Sequence, residues 1–277
     1  MKQLLIYILT FFSATDLFAQ QAKGNLFIIG GGERTPDLMQ QLINTAHLSP
    51  TDHIAVLPMS SEEQDTAFYY FKIDIEPLCK NTIANLNFTK QNAHDKKMVD
   101  SLRNAKLIFI TGGDQNRFME IVTNTPVYDA IHFAYENGAT VGGTSAGAAL
   151  MSRYMITGNQ LLDTTYYPTF YSIVKNNIEL KEGLGLIDKI IVDQHFVARS
   201  RYNRVFSALS EHPDLTCAGI DESTALIVHG NKATVAGESQ VVYFRNKGKI
   251  SVAKNNVIKF EDVRIRIFAP GDSFKLK

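Results

Sequence analysis

The sequence predicts an α/β fold, namely a three-layer α/β/α sandwich around a mostly parallel β-sheet. Short apolar runs, each closed by glycine, proline or a polar residue, alternate with amphipathic segments along most of the chain. Continuous apolar runs rich in β-branched residues are typical of strands buried on both faces, as in a parallel sheet. Alternation of such strands with helices puts helices on both faces of that sheet. The predicted strands are Leu26–Ile29, Ile54–Pro58, Leu107–Ile110, Ala139–Gly143 and Ile190–Val192.

Two of the segments between these strands have clear helix signals. Thr35–Ala46 has Pro36 in its first turn, and Pro126–Glu136 begins with proline and is followed by Asn-Gly. The last part of the chain has a different pattern, because Ala225–Asn231 and Ala233–Phe244 have the alternation of hairpin strands. We therefore expect antiparallel C-terminal hairpins in the same domain.

Charge and the N-terminus limit the classes of function. The 277 residues contain 28 Lys+Arg and 28 Asp+Glu, so the chain lacks the basic excess of a nucleic-acid or anionic-membrane binder. Lys2, the apolar run Leu4–Phe12 and a small residue at Ala19 predict a signal peptide over residues 1–19. The run is too short for a membrane span. We expect export to the periplasm or the medium and one domain over residues 20–277.

The two cysteines, Cys79 and Cys217, lie far apart in the sequence. In an exported protein they either pair or remain buried thiols, and the sequence leaves both outcomes open. Their spacing does not match a metal site.

The strongest chemical motif is Gly143-Thr144-Ser145-Ala146-Gly147, between an apolar strand and a run of small residues suited to a helix. G-x-S-x-G in this setting is typical of a nucleophile elbow, in which glycines allow a tight turn that presents the serine. The amide of Ala146 and the helix dipole are then positioned to stabilise an oxyanion. The alternative is a glycine-rich packing turn.

A serine hydroxyl needs a base, and His195 is the best placed of seven histidines because it follows the strand Ile190–Val192. Carboxyl ends of parallel strands gather at one edge, so we expect His195 and Ser145 to meet there. The residue that orients the histidine is Glu222 or its neighbour Asp221, with Asp163 as a more remote candidate.

Two further segments are predicted at the same edge. Gly113, after the strand Leu107–Ile110, is a candidate second oxyanion donor, and Gln115 a candidate substrate contact; a plain strand–helix turn is the alternative. Three arginines follow the histidine and suit forked hydrogen bonds to substrate carboxylates, although such a set also occurs on solvated helix faces. These arginines are Arg199, Arg201 and Arg204.

Four motifs in this order resemble those of cyanophycinases, within the dipeptidase E-like serine peptidases (family S51). They are T-G-G-D-Q at 111–115, G-G-T-S-A-G-A at 142–148, D-Q-H-F-x-x-R-x-R-x-x-R at 193–204 and G-I-D-E-S-T-A at 219–225. The resemblance, which runs from about Gly24 to about Phe244, implies an α/β sandwich related to class I glutamine amidotransferases and a homodimer. It implies Ser145 as nucleophile, His195 as base and Glu222, rather than Asp221, as acid.

The resemblance also implies which residues contact substrate and what that substrate is. The implied pocket residues are Gln115, Asp193, Gln194, Arg199, Arg201 and Arg204. The implied reaction is hydrolysis of cyanophycin, a polyaspartate with arginine on each side-chain carboxyl, to β-Asp-Arg dipeptides without cofactor or metal. On this basis we expect Arg201→Ala and Arg204→Ala to weaken substrate use more than stability.

Two other functions remain possible from the sequence, and a third is disfavoured. An α-aspartyl dipeptidase or isoaspartyl peptidase would share the elbow, and an inactive exported binding protein would share the scaffold. An amidotransferase normally uses a cysteine nucleophile, and neither Cys79 nor Cys217 lies in an elbow.

Overall fold

A computed structural model describes residues 22–163 and 165–276, and the predicted signal peptide at 1–19 lies outside these residues. The described residues form seven α-helices and sixteen strands. The strands are β1 (Asn25–Ile29), β2 (His53–Leu57), β3 (Thr82–Asn85), β4 (Leu107–Ile110), β5 (Thr140–Thr144), β6 (Tyr154–Gln160), β7 (Ile178–Glu182), β8 (Ile190–Gln194), β9 (Thr216–Ile220), β10 (Thr224–His229), β11 (Lys232–Gly237), β12 (Val241–Asn246), β13 (Ile250–Val252), β14 (Ile258–Phe260), β15 (Val263–Phe268) and β16 (Ser273–Lys275). The helices are α1 (Pro36–Ala46), α2 (Gln64–Ile75), α3 (Lys96–Arg103), α4 (Gln115–Val122), α5 (Pro126–Glu136), α6 (Ala146–Ala149) and α7 (Tyr202–Glu211).

The main sheet has eight strands in the order β16-β11-β10-β1-β5-β4-β2-β3. Strands β1, β5, β4, β2 and β3 are parallel, whereas β10, β11 and β16 extend the sheet as antiparallel strands beside β1. This confirms the predicted α/β class with a mostly parallel sheet and C-terminal antiparallel strands. The five predicted strands agree with the structure to within two residues at either end.

Both faces of the main sheet are buried, which explains why its strands are continuous apolar runs. In β1, Leu26 and Ile28 belong to the core that α4 and α5 cover, whereas Phe27 and Ile29 belong to the core under α1 and α2. The predicted helices α1 and α5 both begin with proline at a first-turn position. These helices on opposite faces give the predicted three layers.

A second sheet corrects one expectation. Strand β8, which leads to His195, does not belong to the main sheet but to a four-stranded sheet in the order β15-β12-β9-β8. Only β8 and β9 are parallel in that sheet. The chain leaves the predicted second hairpin strand at Gly237 and continues into this sheet as β12, so the segment Ala233–Phe244 contains two strands. The catalytic candidates therefore come from two sheets.

Two further findings concern the remaining predictions from the sequence. Among the described residues, no helix has the length and apolar character needed to cross a bilayer. Cys79 and Cys217 are free thiols, and burial in β9 raises the pKa of the Cys217 thiol.

Candidate active site

Ser145 occupies a sharp turn between β5 and α6. Its backbone has φ 54° and ψ −111°, a region that non-glycine residues rarely adopt. The flanking glycines are in close contact, because a Cβ at Gly143 would come within 2.5 Å of the Gly147 carbonyl oxygen. Glycine at positions 143 and 147 therefore permits the strained backbone conformation of Ser145, which side chains at these two positions would prevent.

The hydroxyl, imidazole and carboxylate predicted from the sequence form one hydrogen-bonded chain. Ser145 Oγ lies 2.8 Å from His195 Nε2, and His195 Nδ1 lies 2.5 Å from Glu222 Oε1. Asp221 has a different set of partners, since its Oδ1 accepts the backbone N–H groups of residues 197 and 198. Asp163 accepts the backbone N–H of Thr165. Glu222, rather than either aspartate, lies against the imidazole.

A glycine-rich loop with no function predicted from the sequence holds these segments together. We name the carbonyl groups of residues 29–31, at the end of β1, the carbonyl hub. Three consecutive carbonyl oxygens of the hub accept backbone N–H groups from three site segments: Ile29 from Ser145 at 3.1 Å, Gly30 from His195 at 2.6 Å and Gly31 from Ser223 at 2.8 Å. Gly31 has φ +103°, and a Cβ there would lie 2.3 Å from His195 Cε1. The run Gly30-Gly31-Gly32 directly after a strand is the signal in the sequence that could have indicated this role.

The surroundings of the imidazole favour its neutral form. Burial lowers the pKa of His195 below its ordinary value, and the charges of Arg199 and Arg201 act in the same direction, while the hydrogen bond to Glu222 opposes them. A neutral Nε2 can accept the proton of the Ser145 hydroxyl, so the environment suits a general base near neutral pH.

The two candidate oxyanion donors, Gly113 and Ala146, lie on segments next to Ser145. Ala146 is the first residue of α6, where the N–H has no intrahelical acceptor. Gly112 is adjacent to Ser145, because a Cβ on Gly112 would lie 3.3 Å from the serine Cβ, and Gly113 follows it with φ +136°. A side chain at Gly113 would collide with the Ser60 carbonyl oxygen at 2.1 Å, so the turn requires glycine there.

A cavity of about 330 Å³ opens beside Ser145. Five residues predicted to contact substrate line it, namely Gln115, Gln194, Arg199, Arg201 and Arg204. Further lining residues were not identified from the sequence: Asp114, Asn116, Thr157, Gly158, Asn159 and Tyr166. Those on β6 and the following loop carried no motif, and only their position in the fold brings them to the site.

Asp193 is the exception among the predicted pocket residues. Its side chain is fully buried and does not line the cavity, because it is paired with arginines behind the cavity wall. Arg204 Nε donates to Asp193 Oδ2 at 2.7 Å and its Nη2 contacts Oδ1. Arg201 Nη1 lies 3.8 Å from the same carboxylate. Asp193 therefore positions the two arginines, and its side chain does not reach the cavity.

The cavity wall is therefore cationic. Arg201 and Arg204 share the single carboxylate of Asp193, and Arg199 is exposed. Burial and the nearby charge of Arg204 lower the pKa of Arg201 to about 10, so its guanidinium remains charged at neutral pH. A cationic wall beside a serine hydroxyl suits substrates with carboxylates.

Fold and site together define a serine hydrolase on an α/β sandwich, with the nucleophile in an elbow at the end of a parallel strand. The family model described as Peptidase family S51 matches residues 26–236, and the chain belongs to this family of serine peptidases. This finding excludes the amidotransferase alternative and favours an enzyme over an inactive binding protein.

Individual relatives agree with the family. The chain is 30% identical to a protein named cyanophycinase from Geminocystis herdmanii (strain PCC 6308), over 93% of this chain and 96% of that protein. It is 26% identical to a peptidase E from Actinobacillus pleuropneumoniae serotype 5b, over 66% of this chain and 76% of that protein. A crystal structure of a peptidase from an acI-B1 Actinobacterium has the same fold, with a TM-score of 0.65 at 20% identity and coverage of 93% and 98% of the two chains.

Proposed function

We propose that this peptidase hydrolyses cyanophycin to β-Asp-Arg dipeptides through an acyl-enzyme on Ser145. The observation that carries the proposal is the hydrogen-bonded chain from Ser145 through His195 to Glu222, which opens onto an arginine-lined cavity. Hydroxyl, imidazole and carboxylate in this order are the parts that nucleophilic acyl transfer needs.

The proposed mechanism uses only groups of this chain. Ser145 Oγ attacks the scissile carbonyl carbon while His195 Nε2 accepts its proton, and Glu222 stabilises the resulting imidazolium. The N–H groups of Gly113 and Ala146 donate to the oxyanion. His195 then gives the proton to the leaving amine, and water, deprotonated by the same imidazole, releases the acyl group from the serine.

The charge of the cavity supports an acidic substrate. Release of β-Asp-Arg dipeptides from a polyaspartate requires cleavage of backbone amides between aspartyl residues, and each residue beside such a bond carries an arginyl group with a free carboxylate. Gln194 and the arginines lining the cavity are suited to bind that carboxylate. The similarity to proteins named cyanophycinase over nearly the whole chain favours this substrate.

An α-aspartyl or isoaspartyl dipeptidase is the second candidate, because proteins named peptidase E are also similar and an arginine-rich pocket equally suits a simple aspartyl residue. The two candidates differ in whether the arginyl group is needed. Simple aspartyl dipeptides test this difference directly.

The proposal is tested with purified protein on cyanophycin and on a panel of α- and β-aspartyl dipeptides. We expect β-Asp-Arg release from cyanophycin by the wild type, and loss of at least about 10³-fold in rate for Ser145→Ala with an unchanged thermal melt. Trapping of a covalent Ser145 adduct in a denaturing quench tests the acyl-enzyme. Turnover of α-aspartyl dipeptides without turnover of cyanophycin would replace the first candidate by the second.

We also propose export and self-association. The charged and apolar pattern of residues 1–19 supports a signal peptide with a mature chain from Gln20, and the family resemblance supports a homodimer. N-terminal sequencing of protein recovered from the periplasm and medium tests the cleavage site, and light scattering of the mature chain tests the dimer. A mature chain that still begins at Met1, or a monomer mass, would contradict the respective proposal.

A further inference from the structure

The two glutamines of the cavity have fixed and opposite amide orientations. Gln115 Nε2 donates to the carbonyl oxygens of Ile156 and Thr157, both at 2.8 Å. A primary amide has two N–H hydrogens, and both are engaged by these β6 carbonyls. The atom that Gln115 offers to the cavity is therefore Oε1, a hydrogen-bond acceptor.

Gln194 has the reverse orientation. Its Oε1 accepts from Arg201 Nη1 at 2.5 Å, and its main-chain carbonyl accepts from the same nitrogen at 2.7 Å. A guanidinium only donates, so the amide cannot be reversed, and Gln194 offers its Nε2 donor to the cavity. One glutamine thus accepts and the other donates.

The residues beside Gln115 extend its acceptor character. Asp114 is the N-cap of α4, where its Oδ1 accepts the backbone N–H of Asn116 at 2.8 Å. Asn116 lines the same cavity, and its Nδ2 donates to Asp114 Oδ1 at 3.1 Å, which holds the carboxylate beside Gln115. We name residues 114–116 the acceptor wall. The positive end of α4 alone would favour an anion, but the full negative charge of the Asp114 carboxylate outweighs that partial charge.

We propose that the acceptor wall binds the guanidinium of the substrate's arginyl group, while Gln194 and the arginines of the opposite wall bind its carboxylate. The inference rests on the proposed function and deepens it. An arginyl group attached through its α-nitrogen carries one carboxylate and one guanidinium, separated by three methylene groups. It offers an anion to the donor wall and five N–H donors to the acceptor wall.

The test compares two substrates that differ only in charge. Short aspartyl peptides with β-linked arginine are compared with the same peptides carrying citrulline, whose ureido group has nearly the same shape without the positive charge. We expect the wild type to prefer arginine by about tenfold or more in kcat/KM, as for a charge-assisted contact. Asp114→Asn keeps an N-cap residue of equal quality and is expected to lower the arginine-to-citrulline ratio by about threefold to fivefold.

A matched control has the same chemical change away from the cavity. Asp95 is the N-cap of α3, accepts from Lys97 N at 2.9 Å and from Met98 N at 3.0 Å, and does not line the cavity. Asp95→Asn is expected to leave the arginine-to-citrulline ratio unchanged. An equal fall in both variants would show that the effect comes from overall charge and would overturn the inference.

Binding to the Ser145→Ala variant separates the inference from the proposed function. Calorimetry with β-Asp-Arg and β-Asp-citrulline measures selectivity without turnover. If the wild type hydrolyses neither peptide, the proposed function fails, and the calorimetric ratio for Ser145→Ala with and without Asp114→Asn still decides the inference. Equal affinity for the two dipeptides, or a ratio unaffected by Asp114→Asn, would overturn the acceptor wall while leaving the peptidase activity intact.

Discussion

The buried cluster of Asp193 with Arg201 and Arg204 leads to the sharpest stability prediction. Each of the three residues is at most 2% exposed, and the two guanidinium groups share one carboxylate. Asp193→Asn keeps the shape of the side chain, but it removes the negative charge and turns an N–H donor toward guanidinium groups that only donate. The variant therefore leaves two positive charges buried without compensation.

The magnitude follows from the burial. Removing one partner of a buried ion pair costs about 3–5 kcal/mol, because the remaining charge has lost its partner in a low-dielectric site. That loss is a large fraction of the roughly 5–15 kcal/mol that separates a native domain from its unfolded chain. At about 2–4 °C for each kcal/mol, the melting temperature is expected to fall by about 6–20 °C.

Scanning calorimetry at neutral pH measures the effect, with a surface ion pair as control. Glu62 Oε1 lies 2.6 Å from Arg117 Nη2, but the side chains of Glu62 and Arg117 are 80% and 33% exposed. Glu62→Gln is expected to cost less than about 1 kcal/mol. The double variant Asp193→Leu with Arg204→Met is expected to be more stable than Asp193→Leu alone, because it removes one of the two unpaired charges. If Asp193→Asn melts within about 2 °C of the Glu62→Gln control, the reasoning about uncompensated burial is refuted.

Three further predictions concern activity. Gly31→Ala pushes a methyl group against the His195 ring, and we expect a loss of at least about 100-fold in kcat/KM with a fall of only a few degrees in melting temperature; full activity would contradict the close contact. Burial lowers the pKa of His195, so its imidazole stays neutral at pH values below the ordinary pKa of histidine, and we expect the acid limb of kcat/KM below pH 6.5. Glu222→Gln removes a contribution that raises this pKa and should move the acid limb still lower. An acid limb above pH 6.5 would contradict the assignment of His195 as the base. Arg199→Ala removes an exposed positive charge from the cavity, so we expect KM to rise about tenfold while the melting temperature stays constant. Because this charge lowers the pKa of His195, the acid limb of kcat/KM should move upward in the variant. A large fall in melting temperature would instead indicate a structural role for Arg199.

The same geometry changes what is expected of Arg204→Ala. From the sequence, this substitution is expected to weaken substrate use more than stability. In the structure Arg204 is buried and engages both oxygens of Asp193, so its removal leaves the buried carboxylate with the more distant Arg201 as its cationic partner. We now expect a stability loss comparable to that of Asp193→Asn. Arg199, which is exposed, is the arginine whose removal tests substrate binding without a comparable loss of stability.

Much of the fold was predictable because burial on both faces determines residue type at every position of a strand. The five apolar strands were predicted on that basis, whereas the two helices were predicted from proline in their first turn. The assignment of β8 to a second sheet was not predictable, since Ile190–Val192 has the same apolar pattern in either sheet. The neighbours of a strand depend on chain crossings, and local periodicity does not record them.

The candidate site was predictable where the chemistry needs a specific residue type beside a turn. Ser145 and His195 were identified because each follows an apolar strand. The choice between Asp221 and Glu222 required the resemblance, since adjacent positions alternate in direction and the sequence does not say which direction faces the imidazole. Tyr166 was missed because it lies in a loop without a motif, and its place in the cavity wall depends on contacts distant in sequence.

The carbonyl hub explains how residues that follow strands of two different sheets, each with a strained backbone, are held in one arrangement. Ser145, His195 and Ser223 have φ values of 54°, 48° and 51°, a region that costs a non-glycine residue about 1–3 kcal/mol. Each of these residues donates its N–H to one of the three consecutive carbonyls of residues 29–31. The backbones of Ser145, His195 and Ser223, the neighbour of Glu222, are thus hydrogen-bonded to the same short segment. The spacing of the hydroxyl, the imidazole and the carboxylate therefore depends on that segment more than on the relative position of the two sheets. The glycines at 30–32 follow from this arrangement, because a Cβ at Gly30, Gly31 or Gly32 would lie 2.1 Å from Asp221 O, 2.3 Å from His195 Cε1 or 2.6 Å from Glu222 Cβ, respectively.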